Sequence, residues 1–289
     1  MINRRKFIQT GAVVIGSGFL GSSFTLPSET AVDRVKLGKS GLKVSRIAMG
    51  TGTVGSNRSS NQTRLGAEKF NELVHHAYER GIRFYDMADG YGSQPFIGAA
   101  IKGFPREKIT LLTKLWTHGQ NAEWVKTNLD RCRKEVGTDY FDVLLMHCMM
   151  SGDWAEKQRA AMDALYKAKQ DGIVKAVGVS CHNLDALSNA AENPWVDVIM
   201  ARINPFQTNM DGDPATVCQI LGTAIKNGKG VIGMKIFGEG KHIKDDERQA
   251  SIQFALTKGN INCMTLGLES VAQMDDAITR VMKSAKRTR

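Results

Sequence analysis

Val143-Leu144-Leu145-Met146-His147 and Ala176-Val177-Gly178-Val179-Ser180 are two unbroken apolar runs, each ending on a polar residue. A strand with one wet face alternates apolar and polar side chains. A continuous run suits a strand covered on both faces, the usual condition of a parallel sheet. Working outward, similar runs occur at Ile47–Gly50, Phe84–Asp86, Ile109–Lys114, Val196–Ala201, Gly230–Lys235 and Cys263–Leu266. Between them the period changes. Phe70, Leu73, Val74 and Ala77 fall at i, i+3, i+4, i+7, as do Val217, Ile220, Leu221 and Ala224, the spacing of one helix face. Gly81, Gly137, Gly172 and Gly228 stand where such helices should stop. Ahead of the first run, Arg34–Leu37 and Leu42–Val44 flank Gly38-Lys39-Ser40-Gly41 and predict a short β-hairpin. Eight strands alternating with helices over roughly 250 residues have the size and rhythm of an α/β, (β/α)8 TIM barrel. The expected organisation is one barrel over residues 31–289. A doubly wound open sheet is the alternative, but no G-x-G-x-x-G follows the first strand to make a dinucleotide site of that kind.

The chain has 289 residues, 42% of them hydrophobic and 24% charged, which is globular composition without a disorder signature. Its formal net charge of +10 is spread along the sequence, with one local run at Lys283, Lys286, Arg287 and Arg289. No aromatic residues interleave with that run, so it reads as a solvated helix face and a basic tail, and no nucleic-acid partner is expected. Five cysteines, an odd number with no C-x-x-C pair, argue against both a disulfide framework and a metal site.

The first thirty residues differ from the rest. Asn3-Arg4-Arg5-Lys6-Phe7-Ile8 precedes a glycine-interrupted apolar stretch from Gly11 to Leu20, followed by small residues. Paired arginines, a weakly apolar segment and small residues, in that order, resemble a twin-arginine signal peptide. This segment, residues 1–30, implies the bacterial twin-arginine translocation machinery as a partner and an exported, periplasmic destination. The apolar run is too short for a comfortable membrane span. No stable span is expected after cleavage, and retention as an anchor is the alternative.

In a barrel of this kind, reacting groups gather at the carboxyl ends of the strands. The second run ends in Asp86, with Tyr91 five residues later; the third ends in Lys114 and the fourth in His147. Each alone has a structural use, as a cap, a packed loop ring, a surface pair or a core histidine. Four ionisable groups at the same ends of successive units are costly to bury unless they compensate one another. A tyrosine titrating near ~10 is a poor acid at neutral pH. Lys114 beside it would favour the phenolate, and Asp86 would hold the lysine charged. His147 would donate a hydrogen bond to a substrate oxygen while Tyr91 exchanges a proton with it.

These same residues carry a family resemblance. Gly81-Ile-Arg-Phe-Tyr-Asp86-Met-Ala-Asp-Gly-Tyr91-Gly92 resembles the first signature of the aldo-keto reductases. Leu129-Asp-Arg-Cys-Arg-Lys-Glu-Val-Gly137-Thr-Asp139-Tyr-Phe-Asp142, continuing to His147, resembles the second. Gly172-Ile-Val-Lys-Ala-Val-Gly178-Val-Ser180 is similar to the strand-five stretch, and the likeness runs in order from about Arg34 to Lys283. It implies an NAD(P)-linked oxidoreductase moving hydride between nicotinamide and a small carbonyl or sugar-like alcohol, with Asp86, Tyr91, Lys114 and His147 as a catalytic tetrad.

The resemblance also assigns the cofactor contacts. Gly50-Thr51-Gly52-Thr53 matches the family's cofactor-touching loop, giving Gly52 and Thr53. Where the family grips the nicotinamide amide with Ser, Asn and Gln, this chain has Ser180, Cys181 and Met200. Met234 replaces the stacking aromatic, with Lys235 beside it, and Gln273 lies in the late stretch Thr265–Gln273. That stretch lacks the usual lysine and arginine for the 2′-phosphate, whose loss weakens charge-assisted binding. NAD, or NADP held by Lys235 or Lys241, both follow. Val54, Trp116 and His118, with Met149-Met150-Ser151, are expected at the substrate mouth. The alternative reading is a non-catalytic binding protein on the same barrel, since fold does not imply function.

Overall fold

The computed structural model describes residues 33–286. The predicted export signal over residues 1–30 lies outside the described residues. The chain begins with an antiparallel hairpin of β1 (Arg34–Lys36) and β2 (Lys43–Ser45), with Arg34 opposite Ser45. Eight parallel strands follow: β3 (Ile47–Gly50), β4 (Phe84–Asp86), β5 (Thr110–Leu115), β6 (Phe141–Met149), β7 (Val174–Cys181), β8 (Val198–Arg202), β9 (Gly230–Met234) and β10 (Cys263–Gly267). Each pairs with the next, and β10 closes onto β3 with Met264 opposite Ile47, so the sheet is a closed barrel. The runs read from sequence are these strands, shifted at their ends by a few residues at most.

A helix returns the chain after every strand: α1 (Ala67–Glu79), α2 (Gln94–Ala100), α3 (Ala122–Val136), α4 (Arg159–Gln170), α5 (Leu184–Glu192), α6 (Pro214–Lys226), α7 (Asp245–Thr257) and α8 (Val271–Lys286). Their starts follow local chemistry. Asn121 and Asp213 cap α3 and α6 by accepting from backbone N–H groups of the first turn, and Pro214 fits the first position of α6, where no donor is needed. Gly137 ends α3 at φ 71°, a left-handed conformation costly for residues with a Cβ. Phe70, Leu73, Val74 and Ala77 of α1 are all buried, and so are Val217, Leu221 and Ala224 of α6, whereas Ile220 is partly covered. Each fully buried large side chain contributes about 1.5–3 kcal/mol.

Two apolar layers result. One lies between helices and strands; the other fills the barrel with Ala48, Phe84, Leu112, Val143, Ala176, Val198 and Ile232. Leu37 and Val44 of the hairpin join this inner layer, so the hairpin plugs the end where the strands begin. Lys39 N–H donates to Gly228 O at 2.7 Å and holds it there. The opposite end, where the strands finish, remains open to receive functional side chains. Among the described residues, no helix is long and apolar enough to cross a membrane.

Candidate active site

Parallel pairing sets the site. Asp86 closes β4 opposite Leu112 of β5, and Lys114 lies two residues further along β5, on the same face of the strand. The Lys114 ammonium donates to Asp86 Oδ1 and, at 2.8 Å, to Met87 O. Thr265 of β10 donates to Asp86 Oδ2 at 2.9 Å, so both carboxylate oxygens are bound. The pair is buried, with side chains 2% and 7% exposed. Removing both ions from water is tolerable only because each is partnered.

Tyr91 ends a 3-10 turn, Asp89–Tyr91, beyond β4. A Cβ on Gly52 would overlap Cε2 and Cζ of Tyr91, and one on Gly55 would come within 2.5 Å of Cδ1. The ring therefore rests directly on glycine backbone. Lys114 Nζ is 4.9 Å from its centroid. Burial, reinforced by the carboxylates of Asp86 and then Asp89, pushes the phenol above its ordinary range. This differs from the expectation that Lys114 favours the phenolate. The lysine charge is already matched by Asp86, and burial favours the neutral phenol.

His147 stands edge-on to Tyr91, ring centroids 5.7 Å apart, and edge-on to Trp116 at 5.8 Å. Burial, then the Lys114 ammonium, hold its pKa well below the usual histidine value. Asp89 accepts from Trp116 N–H at 2.9 Å, tying the β4 loop to the β5 loop. The β6 strand bulges beyond Met146, placing Cys148 at φ 68°. His118 Nε2 lies 2.9 Å from Cys148 O and 3.1 Å from His147 O and braces that bulge, while Trp116 is 46% exposed at the mouth. Val54 projects from the β3 loop, largely exposed, with φ 49°.

A cavity of about 600 Å³ opens beside Tyr91. Of the residues singled out from sequence, Gly52, Thr53, Asp86, Tyr91, Met200, Met234, Lys235 and Gln273 line it. Ser180 and Cys181 do not. Ser180 Oγ accepts from Cys148 N–H at 2.8 Å and secures the bulge, and Cys181 is fully buried. The cavity also includes Glu239, Arg248, Glu269 and Asp276, which the sequence reading did not select. Arg248 and Asp276 come from α7 and α8, where neither sits in a motif; only their convergence marks them. Asp89, three residues from Asp86 in the quoted signature, was within reach of that reading.

A dinucleotide fits this wall. A Cβ on Gly267 would overlap Thr53 Oγ1, and one on Gly50 would stand 2.8 Å from Thr265 Oγ1, so glycine keeps the floor open. The volume lies within the range of about 300–1,000 Å³ usual for small-molecule sites. The charges near Arg248 are balanced. Its Nε is 3.1 Å from Asp276 Oδ2, an approach without hydrogen-bond alignment, and Arg280 Nε donates to the same oxygen at 2.8 Å. Lys235 is paired with Glu239, and Lys241 is exposed.

A parallel eight-stranded barrel with a buried Asp–Lys pair, a tyrosine and a histidine at its open end defines a class of α/β-barrel proteins. Residues 46–288 match the profile of the Aldo/keto reductase family, and the chain belongs to that family. Among its relatives, "Probable aldo-keto reductase 1" of Glycine max is 24% identical over 211 residues, covering 68% of this chain and 59% of that protein. The chain thus matches less than two thirds of that relative's length. L-galactose dehydrogenase of Arabidopsis thaliana is 23% identical over 292 aligned positions, covering 87% of this chain and 89% of that protein. A solved "Putative aldo-keto reductase from Pseudomona aeruginosa" superposes with a TM-score of 0.75 at 20% identity, covering 91% of this chain and 99% of that one, a likeness of fold.

Proposed function

We propose that the protein is an exported NAD(P)-linked oxidoreductase that reduces a small carbonyl or sugar-like substrate, with Tyr91 as its general acid. The observation that carries this reading is the Tyr91 ring lining the cavity, edge-on to His147 and backed by the buried Asp86–Lys114 pair. The nicotinamide, when bound, supplies the hydride. Gly52, Thr53, Met200 and Met234 would hold it against the tetrad, and Lys235 and Gln273 would contact the rest of the dinucleotide. Tyr91 delivers its proton to the carbonyl oxygen, and the Lys114 ammonium, fixed by Asp86, stabilises negative charge building on that oxygen and on Tyr91. Trp116 and Val54 shape the approach.

NAD(H) is the preferred form. The cations lining the cavity, Arg248 and Lys235, are matched by Asp276 and Glu239, leaving little positive charge for a 2′-phosphate. Export through the twin-arginine pathway delivers a folded protein, which suits a cofactor loaded before translocation, and the sugar-like substrate class rests on that exported location. Arg4→Lys with Arg5→Lys should leave the protein in the cytoplasm; efficient export of that variant would overturn the localisation.

Nucleotide titration followed by a turnover panel of aldehydes, ketones and keto-sugars tests the activity. Tyr91→Phe should still bind nucleotide and lose about 10²–10⁴ in kcat. A protein that binds neither nucleotide would be a non-catalytic relative.

A further inference from the structure

Cys263, Ala48 and Phe84 belong to the apolar layer inside the barrel. Side chains alternate along a strand, so Thr265 of β10, Gly50 of β3 and Asp86 of β4, each two residues further on, face the same interior near its open end. In the barrel, β3 lies between β10 and β4. Thr265 Oγ1 nonetheless donates to Asp86 Oδ2 at 2.9 Å, reaching across the intervening strand. Gly50 makes this possible, because a Cβ there would stand 2.8 Å from Thr265 Oγ1.

The main chain at Asp86 is held independently. Its carbonyl accepts from Thr51 N–H at 3.1 Å and from Thr51 Oγ1 at 2.7 Å. What remains is rotation of the carboxylate. Lys114 grips Oδ1, so among the described residues the Thr265 hydroxyl is the second fixed point of that group. An ammonium carries three donors. Lys114 spends one on Asp86 Oδ1 and one on Met87 O, which leaves one for Tyr91, whose ring centroid is 4.9 Å from Nζ. The direction of that last donor follows the carboxylate.

We propose that Thr265 is a positioning residue: its hydroxyl locks the Asp86 carboxylate and, through it, aims the Lys114 ammonium at Tyr91. The inference rests on the oxidoreductase reading for its effect on rate, not for its geometry. A hydrogen bond to a charged acceptor is stronger than one between neutral groups, so a single hydroxyl suffices to stop the rotation. Thr265 also lines the cavity beside Tyr91. A nucleotide filling that cavity would shield the bond from water and strengthen it, as a lower local dielectric does. Nucleotide binding and the order of the Asp86–Lys114 pair are thereby linked through β10.

The test compares Thr265→Val, which keeps the shape and removes the donor, with Thr265→Ser, which keeps the donor. The Lys114 ammonium signal in a ¹H–¹⁵N spectrum, assigned by its loss in Lys114→Arg, should shift in Thr265→Val and return toward its wild-type position in Thr265→Ser. In turnover, Thr265→Val should lose about tenfold in kcat with carbonyl KM and nucleotide Kd unchanged, and Thr265→Ser should recover most of that loss. An unmoved Lys114 signal, a wild-type kcat in Thr265→Val, or equal losses in both variants overturns the proposal. A change in nucleotide affinity alone makes Thr265 a wall residue and overturns it as well. Should the valine variant fail to fold, Thr265→Ala removes the same hydroxyl without adding bulk and is read in the same way. A wild type without any turnover would sink the oxidoreductase reading, yet the Lys114 signal would still decide the role of Thr265.

Discussion

The ring of Tyr91 rests on the backbone of Gly52, with no room between them for a Cβ. The loop after β3 thereby sets where the phenol hydroxyl stands. Gly52→Ala should displace the ring and lower kcat by about 10²-fold, the usual effect of a 1 Å misplacement. Stability should fall by about 1–3 kcal/mol, as for other overpacked sites. Steady-state kinetics with a parallel thermal melt separates the two effects. Unchanged kinetics would mean the loop yields instead of the ring.

Breaking the buried ion pair on one side should cost more than removing it. Lys114→Met leaves the Asp86 carboxyl almost fully buried and, among the described residues, bound only by Thr265, and should destabilise the fold by about 3–5 kcal/mol. Adding Asp86→Asn to Lys114→Met should restore part of that loss. Urea denaturation of the single and double variants checks the order, and a double variant less stable than the single one contradicts it.

Stability should fall on mild acidification. Burial, with Arg202 and then Lys235, depresses His182 to about 4, and His147 is also held well below its ordinary value. Unfolded histidine titrates near ~6.5. Above that value both rings are neutral in both states and impose no penalty. As pH falls through it, the unfolded chain takes up protons that the folded chain refuses. Each ring then removes up to about 1.4 kcal/mol of stability per pH unit. For His182 the loss levels off below about 4, where the folded ring also protonates. Denaturation at about pH 7 and about pH 5 should show the drop, and His182→Gln should flatten it.

Asp276 offsets the positive charge that Arg248 brings to the cavity wall. It faces Arg248 at 3.1 Å and binds Arg280 at 2.8 Å. Asp276→Asn removes the neutralising carboxylate and should shift the NADP-to-NAD affinity ratio about tenfold toward NADP, or about 1.4 kcal/mol. Nucleotide titration monitored by tryptophan fluorescence gives the ratio. No shift would place the 2′-hydroxyl away from this cluster.

The eight strands were legible because burial on both faces leaves a mark in one dimension, an unbroken apolar run. The clustering of ionisable groups at one end was legible for a related reason: Asp86, Lys114 and His147 lie at or near the ends of those runs, where a polar residue interrupts the apolar pattern. Tyr91 was carried by its distance from Asp86. Ser180 was not legible in this way. Its hydroxyl is taken by Cys148 N–H, and that bond exists because β6 bulges there.

By itself, then, the sequence determined the barrel, its leading hairpin and several of the side chains that gather at the open end, because periodicity and strand ends are local properties. Tertiary structure alone decided which of those side chains face the cavity. It also shifted the proton affinities of Tyr91 and His147, the phenol upward by burial and the carboxylates of Asp86 and Asp89, the imidazole downward by burial and the Lys114 ammonium. The meeting of Arg248 with Asp276, and of Thr265 with Asp86, belongs to the same level. Electrostatic environment depends on distance through space and on the exclusion of water, and neither is written in the spacing of residues along the chain.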